Sequence, residues 1–243
     1  MMLPDLTQRS REDELMDDFS ITDARLDDAL QNIAHVNRFL SGWRTTQRVL
    51  VPYLRRHKGK SLRMLDLGTG IADHPARWVP LAASMGVRLE VVAVDANAVS
   101  LAHADRYLTQ ALPPEQRACI QLETADAMNL PYAPDSFDVV HAALFLHHFD
   151  DAEAAQLLAS MQRLAHHGII VNDLHRHALA YMGIKALTYV FPGDQMFAND
   201  APLSVMRAFT REELRHLAAK ADLLDATIRW HWAFRWSLST LRT

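Results

Sequence analysis

Residues Asp66-Leu67-Gly68-Thr69-Gly70-Ile71-Ala72-Asp73 stand where a hydrophobic run, LRMLDL, gives way to an amphipathic one. Two glycines two positions apart let a backbone turn tightly and approach a ligand, and the N–H groups opening the next helix face the same crevice. That layout suits a nucleotide-type ligand. In the dinucleotide pattern G-x-G-x-x-G the last position meets a pyrophosphate, and here it is Asp73, whose carboxylate repels one. Asp66 at the end of the first run and Asp95 at the end of VVAVD add negative charge around the same crevice, as does Asp126 if its loop sits beside them. A ring of carboxylates fits a ligand that carries positive charge and no phosphate.

Proton chemistry has three candidates. His147 and His148 follow the run FDVVHAAL and His175 follows GIIVND, at the sheet edge where open α/β folds bind substrates. Asn172 and Asp173 end the same fifth run, but Ala142, Ala143 and Leu144 at the end of the fourth add no acid to an oxygen-rich cation shell, and no cysteine–histidine spacing matches zinc. No metal is expected.

S-adenosylmethionine has the required chemistry: a sulfonium, an ammonium, a ribose diol and an adenine. Residues 62–174 resemble class I S-adenosylmethionine-dependent methyltransferases, with LDLGTG as the glycine motif, VVAVDAN as the acidic second-strand motif, and ETADAMNLPYAPDSFDVVHAALFLHHF as the adenine-side and fourth-strand motifs. The resemblance implies that Asp95, with Ala96 beside it, binds the ribose hydroxyls, and that the Gly68-Thr69-Gly70 backbone passes under the methionine part. It places Asp126 and Ala127 by the adenine, Asp66 near the ammonium, and Ala142 and Ala143 at the sulfonium. Ala72 departs from the family's third glycine. His148, second of its pair, is the histidine that such relatives turn toward the pocket. LDLGTGIAD, LHHF and VNDLHR resemble the branch acting on quinone precursors and phenols, which implies O-methylation, ahead of C-methylation, of an aromatic or lipid-tailed small molecule.

Positioning these residues requires a sheet. Five strand-like runs separated by helical stretches or long loops argue for parallel strands covered on both faces, and ATIRWHWAFRWSLSTL suits two terminal strands with an antiparallel edge. The expected fold is α/β, a Rossmann-like doubly wound seven-stranded sheet, mostly parallel with an antiparallel terminal strand and helical lid elements. Residues 1–18 read as a flexible acidic leader. Ser20 and Asp23 have capping-box spacing before a stripe of Leu26, Leu30, Ile33 and Leu40, and a second helix runs from Trp43 to His57 with Gly59 as its stop. The division expected is a leader and helical cap over 1–58 and the main domain over 59–243, with a lid insertion at about 177–208 containing the loop PGDQMFANDAPLS. Leu179 to Phe191 reads equally as part of a lid or as a packed core helix.

With 243 residues, 25 Lys+Arg against 29 Asp+Glu and 49% hydrophobic residues, the chain can bury a large core and has no overall attraction for nucleic acid. Its one cysteine excludes an internal disulfide, and its opening stretch is too acidic for a signal peptide, so a cytoplasmic monomer or homodimer without a transmembrane segment is expected. Trp230, Trp232 and Trp236 interleaved with Arg229 and Arg235 cover a sheet edge or touch lipid headgroups. Two other functions share the motifs: a non-catalytic S-adenosylmethionine-binding partner protein and a nicotinamide-dependent oxidoreductase.

Overall fold

All five apolar runs form strands: β1 Ser61–Leu67, β2 Arg88–Asp95, β3 Ile120–Thr124, β4 Phe137–Ala143 and β5 Ala165–Leu174. The structure, a computed structural model, describes residues 4–17, 42–189 and 195–242. Neighbouring residues in these strands face opposite layers. Leu65 packs with Val140, Leu157 and Ile169 on one side, and Met64 with Leu50, Trp78 and Val139 on the other. Burial on both faces is why the runs are apolar throughout rather than alternating.

The seven strands are ordered β3-β2-β1-β4-β5-β7-β6, with β6 Thr227–His231 and β7 Arg235–Ser239. β7 is antiparallel to both β5 and β6. The one reversed strand therefore lies one place in from the edge, and β6 at the edge runs with β1 to β5. Register brings Leu67 level with Val94 of β2 and Ala142 of β4, so the ends of these strands open on one crevice.

The helices are α1 Trp43–Arg56, α2 Asp73–Ser84, α3 Ala98–Ala111, α4 Pro114–Arg117, α5 Asp151–Leu164, α6 Ala178–Thr188, α7 Gln195–Arg207 and α8 Arg211–Lys220. Capping boxes at Asp150–Glu153 and Thr210–Glu213 open α5 and α8. The stripe from Leu26 to Leu40 lies outside the described residues. None of the described helices is long and apolar enough to cross a membrane.

Two local expectations change, and one reading left open is narrowed. The segment PGDQMFANDAPLS, expected as a loop, is helical from Gln195 onward despite Pro202. Burial of Met196, Phe197, Leu203 and Val205 outweighs the breaker residues, and the Asp200 carboxylate accepts from the N–H groups of Leu15 and Met16, 2.8 and 3.0 Å away. The helix α6 is no core element, because Thr188 is its one buried residue and Leu179 and Met182 are exposed. The described part of the acidic leader is tied down rather than free. Arg9 donates to the carbonyls of Arg207, His147 and Phe149 and to Asp151, and a 3-10 turn at Leu15–Asp17 closes the segment against α7.

Candidate active site

A cavity of about 1120 Å³ opens at the carboxyl ends of β1, β2 and β4, roofed by the leader, α6, α7 and the β6–β7 turn. Asp66, Gly68, Thr69, Gly70, Asp73, Asp95, Ala96, Asp126, Ala127 and Ala143 all line it, with His147, His148 and His175. Ala142 does not. It is buried in the sheet core with Leu67 and Val140, because strand alternation turns Ala143 to the crevice and Ala142 away.

The glycine turn is built by sterics. Gly68 has φ +62°, and a Cβ there would be driven into the ring of Phe145. Gly70 has φ +55° with nothing within 4 Å of a Cβ position, so its backbone faces open space. Ala72, in place of a third glycine, is itself left-handed at φ 58° and fully buried.

Each carboxylate at the turn has a distinct environment. Asp95 accepts from the N–H of Gly70 at 2.8 Å and of Asn97 at 2.9 Å, and burial raises its pKa against those bonds. Asp66 is almost sealed from solvent, accepting from Thr69 Oγ1 at 2.6 Å and paired with His141 Nδ1 at 2.5 Å. Asp73, first residue of α2, has its carboxyl pushed up to about 6 by burial and by the charge of Asp66. Asp126 is exposed, and both its oxygens are engaged by its own loop, with Met128 N–H at 2.8 Å and Asn129 Nδ2 at 2.6 Å. It forms the turn, whatever else it holds.

The three histidines separate. His147 is buried, with Nδ1 on Asp173 at 2.7 Å and Nε2 3.5 Å from Glu14; burial alone would depress its pKa, but the two carboxylates push it to about 9. Without a competing cation it holds its proton and is no general base. His175 is pushed down to about 4 by burial, His177 and Arg176, and its Nδ1 accepts from Trp230 Nε1 at 3.2 Å. It is neutral, weakly basic, and presents an N–H. His148 pairs Nδ1 with Asp17 at 2.8 Å, and burial's upward pull on Asp17 is outweighed by His148 and Arg207. Glu14, His147 and His148 each bring a ligating atom within 4.8 Å of the others, a cluster absent from the sequence-based expectation of no metal.

The family model for a methyltransferase domain matches residues 64–168. These residues, which hold the glycine turn, Asp95 and β4, form a methyltransferase domain on a Rossmann-like sheet. The methyltransferase GfsG of Streptomyces halstedii is 33% identical over 128 residues, which is 53% of this chain and 41% of that relative's length. Magnesium protoporphyrin IX methyltransferase of Synechocystis, solved with S-adenosylhomocysteine, is 17% identical over 83% of each chain with a TM-score of 0.56. An O-methyltransferase family 2 protein of Planctomyces limnophilus in complex with apigenin is 17% identical, covering 75% of this chain and 51% of that one, with a TM-score of 0.54. At these identities the solved structures show likeness of fold.

S-adenosylmethionine is the cofactor that goes with a methyltransferase domain, and the cavity's donor set fits it. Glu14 and seven aspartates, Asp66, Asp73 and Asp95 among them, line the cavity against one arginine, Arg235. That balance suits a sulfonium and an ammonium and opposes a pyrophosphate.

Several residues of the methyltransferase site were not singled out in the sequence. Glu14 and Asp17 sit in a polar leader with no periodic signal, and His141 lies in the middle of a strand. Thr46 is legible only as a polar residue on the buried face of α1. Asn172 donates to the Gly42 carbonyl and Thr46, and Asp173 holds His147, so neither stands open at the crevice. Of the tryptophan–arginine row, Trp236 and Arg235 are buried and Trp236 donates to the Phe209 carbonyl, which leaves Arg229, Trp230 and Trp232 as the exposed members.

Proposed function

We propose that the protein transfers a methyl group from S-adenosylmethionine to a hydroxyl oxygen of an aromatic or lipid-tailed small molecule. One observation carries the acceptor class. Leu179, Ala180, Gly183, Ile184 and Leu187, spaced as one face of α6, line the cavity, Leu179 keeping part of its surface exposed, while Met182 does not line it. Phe145, Phe149, Phe197 and Phe234 complete a largely apolar chamber.

In this reading Asp95 receives the ribose hydroxyls, Gly68 to Gly70 give the methionine part close backbone approach, and Asp66 and Asp73 supply the negative field its cationic groups need. Ala96 and Ala127 flank the adenine side, with Asp126 shaping that loop, and Ala143 borders the transferred methyl. Transfer breaks the methyl carbon–sulfur bond, its electron pair going to sulfur, and forms a carbon–oxygen bond as the hydroxyl loses its proton. Such an in-line displacement asks the protein for alignment and exclusion of water, which the leader and α6 supply. His147 and His148 both line the cavity with carboxylate partners, and His148 is the less buried of the two, so activation of the hydroxyl is assigned to it and its neighbour Glu14.

The test is a panel of phenols, quinols and hydroxylated lipophiles assayed for S-adenosylhomocysteine. Turnover on members of the panel, with Ile184→Asp raising KM for the acceptor and leaving cofactor affinity unchanged, supports the reading. No turnover on the panel with turnover on charged acceptors removes it, and cofactor binding without turnover on any acceptor leaves a non-catalytic binder.

A further inference from the structure

At the acceptor end of the cavity, the leader delivers Glu14 onto the histidine pair that follows β4. We propose that Glu14, His147 and His148 form a binding site for one divalent transition-metal ion, with zinc the best fit. The three ligating atoms lie within 4.8 Å of one another, and Glu14 and His147 are buried at 3% and 2% exposure.

The surroundings are those of a built site. His147 directs Nδ1 to Asp173 at 2.7 Å and His148 directs Nδ1 to Asp17 at 2.8 Å. A carboxylate on Nδ1 fixes the tautomer and leaves Nε2 with the lone pair, the outer-shell arrangement that orients metal-binding histidines, here present twice. His147 Nε2 and Glu14 Oε1 stand 3.5 Å apart, long for a hydrogen bond and close to the roughly 3.3 Å between neighbouring ligands around a tetrahedral ion with bonds of about 2.0–2.1 Å. Ser204 Oγ donates to the same Glu14 oxygen at 2.9 Å and steadies it. Asp17, Asp173 and Asp200 add negative charge nearby, of which Arg207, 3.6 Å from Asp17, offsets part.

Two imidazoles and one carboxylate favour zinc and its neighbours over magnesium or calcium, which prefer oxygen shells. Three protein ligands leave a fourth position facing the cavity. Use of that position rests on the methyl-transfer reading. With the ion bound, His148 and Glu14 act on a hydroxyl held there as ligands rather than as proton acceptors: the hydroxyl is more acidic, and its proton leaves to solvent before the oxygen takes the methyl group. Such an ion also fastens the leader to the end of β4.

The test uses the full chain freed of metal with a chelator and titrated with cobalt(II), followed by visible absorbance and zinc competition. The proposal expects one equivalent bound, with the visible bands of a low-coordinate site, and affinity at least about tenfold weaker in Glu14→Gln and in His148→Gln. A surface cluster, His57 with His167 at 5.2 Å between ring centroids, is the control, and His57→Ala/His167→Ala retains the signal. Far-ultraviolet circular dichroism and a cooperative urea transition, retained in both site variants, report that they fold. Absence of saturable cobalt binding, or binding lost in the control variant and kept in the site variants, overturns the proposal. Metal stoichiometry is read without an acceptor, so failure of the methyl-transfer reading and failure of the metal site give different results.

Discussion

His141 on β4 places Nδ1 2.5 Å from the Asp66 carboxylate on β1, while its other ring nitrogen lies 3.0 Å from Thr46 Oγ1 on α1. Asn172 donates to that same hydroxyl, so donors run from Asn172 through Thr46 and His141 to Asp66. The relay is buried, and it holds the strand-end carboxylate in place under the glycine turn. Replacing His141 by Phe leaves Asp66 short of a donor in a dry site and lowers stability by about 2–4 kcal/mol; Thr46→Val removes one neutral link and costs about 1 kcal/mol. Urea unfolding of the two variants checks the order. A His141→Phe midpoint at or above that of Thr46→Val contradicts the relay.

Asp95 and Asp126 differ in what their oxygens have left to offer. Both Asp95 oxygens accept from rigid backbone at the crevice, whereas Asp126 is engaged by its own exposed loop. Asp95→Ala lowers S-adenosylmethionine affinity by about 1.5–3 kcal/mol, the scale of hydrogen bonds to a charged group, and Asp126→Ala by about 0.5–1.5 kcal/mol. Calorimetric titration of each variant gives the ranking, and equal losses refute it.

Asp73 couples pH to both stability and binding. Its carboxyl titrates at about 6 in the fold against 3.8 when unperturbed, burial being the larger cause and Asp66 the next. The folded protein therefore holds that proton more tightly, and stability falls as pH rises from about 4 through about 6 and stays lower above. Asp73→Asn raises stability at pH 7 by roughly 1–2 kcal/mol after allowance for screening and gains little at pH 4. Affinity for the cationic cofactor moves oppositely, rising from pH 5 to 7 in the wild type and flattening in Asp73→Asn. Urea midpoints and calorimetry across that range test both slopes.

The histidines give a graded series. His148→Ala lowers kcat by about 10²-fold or more, the range for groups that govern proton transfer. His175→Ala removes a neutral donor and acts mainly on KM for the acceptor, by about fivefold, the scale of one hydrogen bond. A reversal of the two in steady-state kinetics overturns the assignment of His148.

Strand identity and order of motifs were legible because burial on both faces writes an unbroken apolar run, and because the glycine turn and Asp95 are local in sequence. The capping boxes at Asp150–Glu153 and Thr210–Glu213 were readable for the same local reason. What stayed hidden was tertiary. Pro202 and Asp200 look like a loop until burial of Phe197 and Leu203 and the hydrogen bonds to Leu15 and Met16 are known. Glu14 and Asp17 read as solvated leader charges because their partners, His147 and His148, lie more than a hundred residues away. His147 and His148 are adjacent in sequence, and what separates them is tertiary: His147 is buried between Asp173 and Glu14, while His148 is partly exposed beside Asp17.

Calorimetric titration of the purified chain with S-adenosylmethionine, S-adenosylhomocysteine and NAD in parallel, repeated on Asp95→Ala, tests the central claim most directly. The account predicts saturable binding of the first two, about 10- to 150-fold weaker in the variant, and no binding of NAD. Binding of NAD with neither sulfur ligand bound, or sulfur-ligand affinity unchanged by Asp95→Ala in a folded protein, contradicts it.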